Sequence, residues 1–128
     1  MLSINAHVTQ YLEVERPLSV VIDQVTVLAL AIAAARFYAG YALLETRIDV
    51  DEPYPDIDEN TEISDSEWAL IKPLFHLFVE RETAIQLEAS RGLGVDVFGR
   101  LTSEIEQDIA RVQSEMPMNA FCQPVETI

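Results

Sequence analysis

The stretch Asp56–Glu67, DIDENTEISDSE, decides how the chain is divided. Read as a twelve-residue calcium loop, it places Asp56, Asp58, Asn60, Glu62, Ser64 and Glu67 at the ligand positions and Ile63 at the usual aliphatic position. Only Thr61 stands where such a loop needs glycine for its sharp turn. An EF-hand also needs a helix entering its loop. Pro53 and Pro55 lie just before Asp56, where a ring that lacks an N–H and clashes with the preceding turn breaks a helix. Such loops usually come in pairs, and no second candidate exists. The simpler reading is that Ser64 caps a helix and Glu67, three residues on, reaches back to it, as in the capping box S-x-x-E. Asp65 and Glu67 then sit in the positive first turn. The stretch is an acidic turn that starts a helix, and the fold it implies is all-α.

Downstream, that helix is expected over about Asp65–Arg91, some 40 Å long at about 1.5 Å per residue. Trp68, Ile71, Phe75, Phe78 and Ile85 form its buried side, widened by Leu74 and Leu77. Pro73 lies inside it and should bend it. Gly92 suits a left-handed C′ position, with Leu93 packing back on Leu87. The segment GVDVFGR, Gly94–Arg100, reads as a turn. Ser103 and Glu106 make a second capping box, Ile105, Ile109, Val112 and Met116 recur at helical spacing, and Pro117 is expected to end this last helix. The remaining eleven residues, MNAFCQPVETI, are apolar enough to dock, and Pro124 argues for an extended arm rather than a helix.

Upstream, Ile4–Val14 reads as a short first helix with Ile4, Val8, Tyr11 and Leu12 on one face. Arg16-Pro17 breaks it, and Ser19 is the expected N-cap of a second helix running to about Glu45. In that helix Val21, Val25, Leu28, Ile32 and Ala35 form an apolar line, and Ala31, Ala35 and Ala39 a smooth edge for close approach. It is apolar nearly all round, so it should be central and covered on several sides, either by its own domain or by neighbouring subunits. Val25–Leu44 has the length of a membrane span. Arg36 in its middle is costly in a bilayer, however, and alanine supplies much of its apolar count, so burial within protein is expected instead.

These elements predict a small bundle of about four helices over residues 1–117, an acidic connector over 46–64 and a C-terminal arm over 118–128. With 128 residues the chain is long enough for one domain with a core. Its 22 acids against 8 bases give a formal net charge of −14. That disfavours binding to nucleic acid phosphates, which need clustered cations. The charge leaves a solvated acidic surface, a basic partner, or a surface that repels DNA. The single cysteine, Cys122, excludes an internal disulfide and fits a reducing compartment. The N-terminus has neither the positive nor the apolar region of a secretory signal.

The sequence offers no catalytic constellation: no nucleophile elbow, phosphate loop, dinucleotide fingerprint or paired cysteines. His7 and His76 are far apart, and His76, between Phe75 and Leu77, reads as a core-edge residue. With Cys122 distant, no zinc spacing emerges. Glu80 with Glu82, and Glu104 with Asp108, read as exposed helix faces. Glu88 with Arg91, and Asp108 with Arg111, are spaced for intrahelical ion pairs. No enzyme activity and no cofactor are expected. Seven of the eight basic residues are arginine, a residue favoured at protein interfaces.

The run Ser64–Arg100, SDSEWALIKPLFHLFVERETAIQLEASRGLGVDVFGR, with its S-E-W start, L-I-K-P-L turn, L-E-A-S-R end and G-R, resembles head-to-tail adaptor proteins of tailed bacteriophages. The likeness continues through Ser103–Met116 to AFCQPVETI. The resemblance implies a virion protein made in the host cytoplasm, with neighbouring copies in a ring, commonly of about twelve, beneath the portal. Its partners would be the portal protein and a downstream neck or tail protein, with DNA passing through unbound and no membrane involved. The portal-docking arm would then comprise Met118, Asn119, Ala120, Phe121, Cys122, Gln123, Pro124, Val125, Glu126, Thr127 and Ile128.

An acidic wall suits a DNA conduit, because like charge keeps phosphates from sticking. Asp49, Asp51, Glu52, Asp56, Asp58, Glu59 and Glu62 are the candidate repelling surface, facing either the lumen or, as a solubilising loop, the exterior. The rival reading is an acidic DNA-mimic inhibitor that occupies the basic cleft of a protein partner. A mimic should spread its acids over one face, whereas here they concentrate in a proline-bearing connector.

Overall fold

The computed structural model describes residues 1–15, 22–48, 50–51, 53–91 and 102–121, the side chains of residues 15, 90, 91 and 119–121 excepted. The architecture is all-α. Helix α1 spans Ile4–Gln10 and continues as a π-helical turn over Tyr11–Glu15. Helix α2 spans Gln24–Ala39 and a 3-10 turn follows at Glu45–Arg47; α3 spans Asp65–Arg91 and α4 spans Thr102–Phe121. Two short strands, β1 (Leu2–Ser3) and β2 (Glu62–Ile63), pair antiparallel with Leu2 opposite Ile63. Helix α3 packs along both α2 and α4, and α2 also touches α1 and α4.

The DIDENTEISDSE stretch folds as a capping box. The Ser64 amide donates to Glu67 Oε1 (3.1 Å), and the Glu67 amide donates to Ser64 Oγ (3.3 Å). From this start α3 runs unbroken to Arg91 with Pro73 inside it. Trp68, Ile71, Leu74, Phe75 and Phe78 are buried, as their spacing predicts. Each such apolar side chain contributes about 1.5–3 kcal/mol on leaving water. Ile85 departs from the expectation. It is exposed, while its neighbour Ala84 takes the inward position, because the buried stripe drifts around so long a helix.

Helix α2 starts later and ends earlier than its composition suggests. Its N-cap is Asp23, whose carboxylate accepts from the Thr26 amide (3.3 Å) and hydroxyl (2.8 Å). Ser19, the expected cap, lies outside the described residues. The helix stops at Ala39, where the amides of Gly40 and Tyr41 bond three residues back, to Phe37 and Tyr38, tightening the last turn. The buried line is Val27, Ala31, Ala34, Ala35 and Tyr38, with Val25 exposed and Leu28 and Ile32 half-buried at the edge. The expected line through Val25 is therefore rotated by about a quarter of a turn, with Ala35 common to both lines. The small residues do their predicted work on the buried side, letting α3 approach.

Helix α4 buries Ile105, Ile109 and Met116, with Val112 packed beside them, as predicted. Its N-terminus and its end both differ from the expectation. Thr102 already belongs to the helix, and its amide donates to Glu88 Oε1 (2.9 Å) on α3, so a carboxylate from a neighbouring helix caps the first turn in place of Ser103. The helix also continues through Pro117 to Phe121. The first four residues of the expected extended arm, Met118–Phe121, are therefore helical. Residues 122–128 lie outside the described residues, as do Gly92, Leu93 and Gly94–Arg100, where a turn is expected.

The N-terminus is tied to the end of the connector. Beyond the strand pair, the Ile4 amide donates to the Thr61 carbonyl (2.9 Å) and the Asn5 amide to the Glu59 carbonyl (3.0 Å). The Ala6 amide donates to Ser3 Oγ (3.1 Å). The unpaired amides of the first turn of α1 thus find partners in the acidic segment. Behind them, buried His7 donates from Nε2 to the Ile63 carbonyl (3.0 Å) and stacks on Trp68 at 4.7 Å between ring centroids. His76 is exposed, its ring against Tyr11 and Phe75, at the core edge as expected.

Candidate functional site

The connector between α2 and α3 is the site that composition singles out, and it is held by its backbone. Arg36, near the end of α2, donates from Nη2 to the Ile57 carbonyl (3.1 Å). Arg47, in the 3-10 turn, donates from Nη2 to the Pro55 carbonyl (2.8 Å), and its guanidinium lies 5.0 Å from the centre of the Tyr54 ring. Between these anchors Ile57 is buried in the core. Asp56 and Asp58, on either side of Ile57 in a segment without regular secondary structure, are exposed. Both guanidinium anchors go to carbonyls, so the connector is fixed without neutralising its carboxylates.

The following turn is closed by its own side chains. The Asp58 amide donates to Thr61 Oγ1 (3.0 Å), the Asn60 amide to Asp58 Oδ1 (2.9 Å) and the Thr61 amide to the Asp58 carbonyl (3.2 Å). This is an Asx-type turn, which a short acid and a hydroxyl stabilise locally. Thr61, out of place in a calcium loop, is therefore the residue that this turn uses. Glu67 faces away from the loop into protein: it is buried, with Oε1 on Ser64 and Oε2 accepting the Glu45 amide (3.2 Å). Among the described residues no group of three or more His, Cys, Asp or Glu side chains is placed to hold a metal ion.

An open groove of about 320 Å³ runs between the 3-10 turn and the connector, lined among others by Arg47, Val50, Asp56, Asp58, Thr61 and Glu62. Of the candidate repelling residues, Asp51, Asp56, Asp58, Glu59 and Glu62 are exposed; Asp49 and Glu52 lie outside the described residues. The structure thus brings Asp56, Asp58 and Glu62 to one groove. Met118, the first residue of the expected docking arm, is exposed on the last turns of α4.

Two features escaped sequence reasoning. Tyr41, Leu43, Ile48 and Val50, expected in part to continue α2, stand exposed, and Val50 lines the groove. Their signal in the sequence is the run GYALLETRIDV, in which large apolar residues follow one another with neither helical nor strand periodicity. The second is Tyr38, buried at the end of α2. Burial first, and then the charges of Glu67 and Glu45, raise its hydroxyl above the ordinary value of 10.0.

Among the described residues no helix is long and apolar enough to cross a membrane. No family model, no curated protein and no solved structure matches the chain.

Proposed function

We propose that the chain is a structural adaptor rather than an enzyme: a virion subunit that joins with copies of itself in a ring at the head-to-tail junction, bridging portal and tail while DNA passes through. The observation that carries this reading is the connector. Its backbone is fixed by Arg36 and Arg47 through the Ile57 and Pro55 carbonyls, and its carboxylates Asp51, Asp56, Asp58, Glu59 and Glu62 are left exposed. A firmly held acidic surface on a chain of net charge −14 suits a wall past which a polyanion must slide without sticking.

The exposed sides of α2 support an assembled state. Val25, Ala29 and Ala33 face outward, and the helix carries no acid from Gln24 to Ala39. Two strongly acidic copies approach each other at least cost along such a stretch. The portal-facing role of residues 118–128 rests on the resemblance of the C-terminal half to phage adaptors.

The test is quantitative mass spectrometry of purified particles from the source, with this chain counted against the portal protein. A ratio near one to one supports the adaptor reading. Absence from the particles, with the protein free in the cell extract, ends it.

A further inference from the structure

We propose that Tyr41, Leu43, Ile48 and Val50, together with the groove carboxylates Asp56, Asp58 and Glu62, form a docking surface for a protein segment that carries arginine or lysine among large apolar side chains. The surface belongs to the same connector as the adaptor reading, but it does not depend on that reading.

The apolar half of the surface is unusual for its concentration. Single exposed hydrophobic residues are normal on a protein, whereas several large ones exposed in one short segment call for a partner to cover them. Tyr41 and Leu43 are each 53% exposed, Ile48 58% and Val50 41%, all within ten residues of chain. They are also fixed in place. Tyr41 packs on Phe37 at 5.3 Å between ring centroids, and the amides of Ile48 and Val50 bond back to the Glu45 and Arg47 carbonyls. Leu44, between the exposed members, is fully buried and roots the segment in the core.

The acidic half sets the sign of the partner. Val50 lines the groove alongside Asp56, Asp58 and Glu62, so the exposed apolar run meets the carboxylates at that residue. Arg47, the one cation lining the groove among the described residues, is bound to the Pro55 carbonyl and lies over Tyr54. The groove therefore offers three acids against one committed base. A nucleic acid or an anionic lipid surface is repelled by them. A second copy docked through the same face would set these carboxylates against their own kind. A basic segment with apolar flanks satisfies both halves: its cations enter the groove and its apolar side chains cover Ile48 and Tyr41, with charge steering the encounter. If the chain is an adaptor, such a segment would neutralise the groove acids and leave Asp51 and Glu59, outside the groove, to face the DNA.

The probe is a synthetic peptide of Arg-Leu-Leu repeats, compared by calorimetric titration with an Arg-Ser-Ser peptide of equal length and charge. The protein is tested as wild type and as three variants. These are the groove variant D56N/D58N/E62Q, the apolar variant I48S/V50S, and the control E82Q/E104Q/E106Q, which removes the same charge from α3 and α4. Circular dichroism confirms that each is folded. The Arg-Leu-Leu peptide is expected to bind wild type at least about tenfold more tightly than Arg-Ser-Ser, and to lose about tenfold in both the groove and apolar variants but not in the control. Equal binding of the two peptides, or an equal loss in the control, overturns the proposal. So does concentration-dependent self-association of the protein alone that I48S/V50S abolishes, since that assigns the surface to a second copy.

Discussion

Glu67 reaches back across the connector to accept the amide of Glu45 at 3.2 Å, so the residue that caps α3 also closes the 3-10 turn after α2. Its two oxygens are used separately, Oε1 by Ser64 and Oε2 by Glu45. A glutamine has only one acceptor oxygen and can serve one end but not both. Glu67→Gln is therefore expected to cost about 1–2 kcal/mol, the range for a lost cap, and Glu67→Ala about 2–3 kcal/mol, because it removes the partner of a partly buried amide at each end. Urea denaturation followed by circular dichroism measures both. Equal stability of wild type and Glu67→Ala would sink the idea that this carboxylate ties the two ends of the connector together.

His7 joins α1 to the start of α3 through its bond to the Ile63 carbonyl and its stack on Trp68. His7→Ala removes the donor of a buried carbonyl and leaves a void against the indole. The expected loss is about 2–3 kcal/mol, the sum of an unmade buried hydrogen bond and an aromatic contact. Trp68 is the only tryptophan in the chain, so its fluorescence reports this site alone. The substitution should shift the emission maximum to the red as water enters. An unchanged spectrum with full stability would show that the stack carries no weight.

What was legible in the sequence was local or periodic. The Ser64–Glu67 box, the start of α3 that it sets, and the Ile105, Ile109, Val112, Met116 stripe each rest on residues three or four apart. Helix α2 was harder because it is apolar on nearly every side. With no polar residue between Gln24 and Arg36 except Thr26, nothing in the pattern says that Val27 faces in and Val25 out. The contacts that shape the candidate site join residues far apart in the chain. Arg36 to the Ile57 carbonyl and Glu67 to the Glu45 amide leave no mark on local spacing. Pro117 misled for a different reason. Proline removes one amide and crowds the preceding turn, which disfavours a helix without forbidding it, and α4 carries the residue to Phe121.

Thr61 separates the calcium reading from the turn reading. Its hydroxyl accepts from the Asp58 amide, so Thr61→Gly, the change that makes the loop look more like an EF-hand, removes a bond and adds backbone freedom. The expected result is a loss of about 1–2 kcal/mol, or a melting temperature lower by about 3–8 °C for a chain of this size, with no calcium-dependent recovery. Differential scanning calorimetry with and without millimolar calcium tests it. A calcium-dependent rise in either protein would restore the metal site that the Asp58 and Glu67 bonds argue against.

Stability should fall at both ends of the pH scale for two separate reasons on α2. At its N-terminus the hydrogen bond from the Thr26 hydroxyl, with the Thr26 amide adding to it, holds the Asp23 carboxyl below the ordinary 3.8. A depressed folded value means that the stabilisation is present above 3.8 and is lost as pH falls through the lower value. Asp23→Asn keeps a cap without a charge and should flatten this acid limb, read by hydrogen exchange in the first turn of α2. At the other end, burial and the charges of Glu67 and Glu45 raise Tyr38 above 10.0. That stabilisation is whole below 10.0 and is lost as pH climbs through the raised value, because only the unfolded chain ionises readily there. Phenolate absorbance should show a late step from Tyr38, and Tyr38→Phe should abolish that step and the alkaline loss of stability together. Late titration that persists in Tyr38→Phe would assign it to another tyrosine and remove Tyr38 from the account.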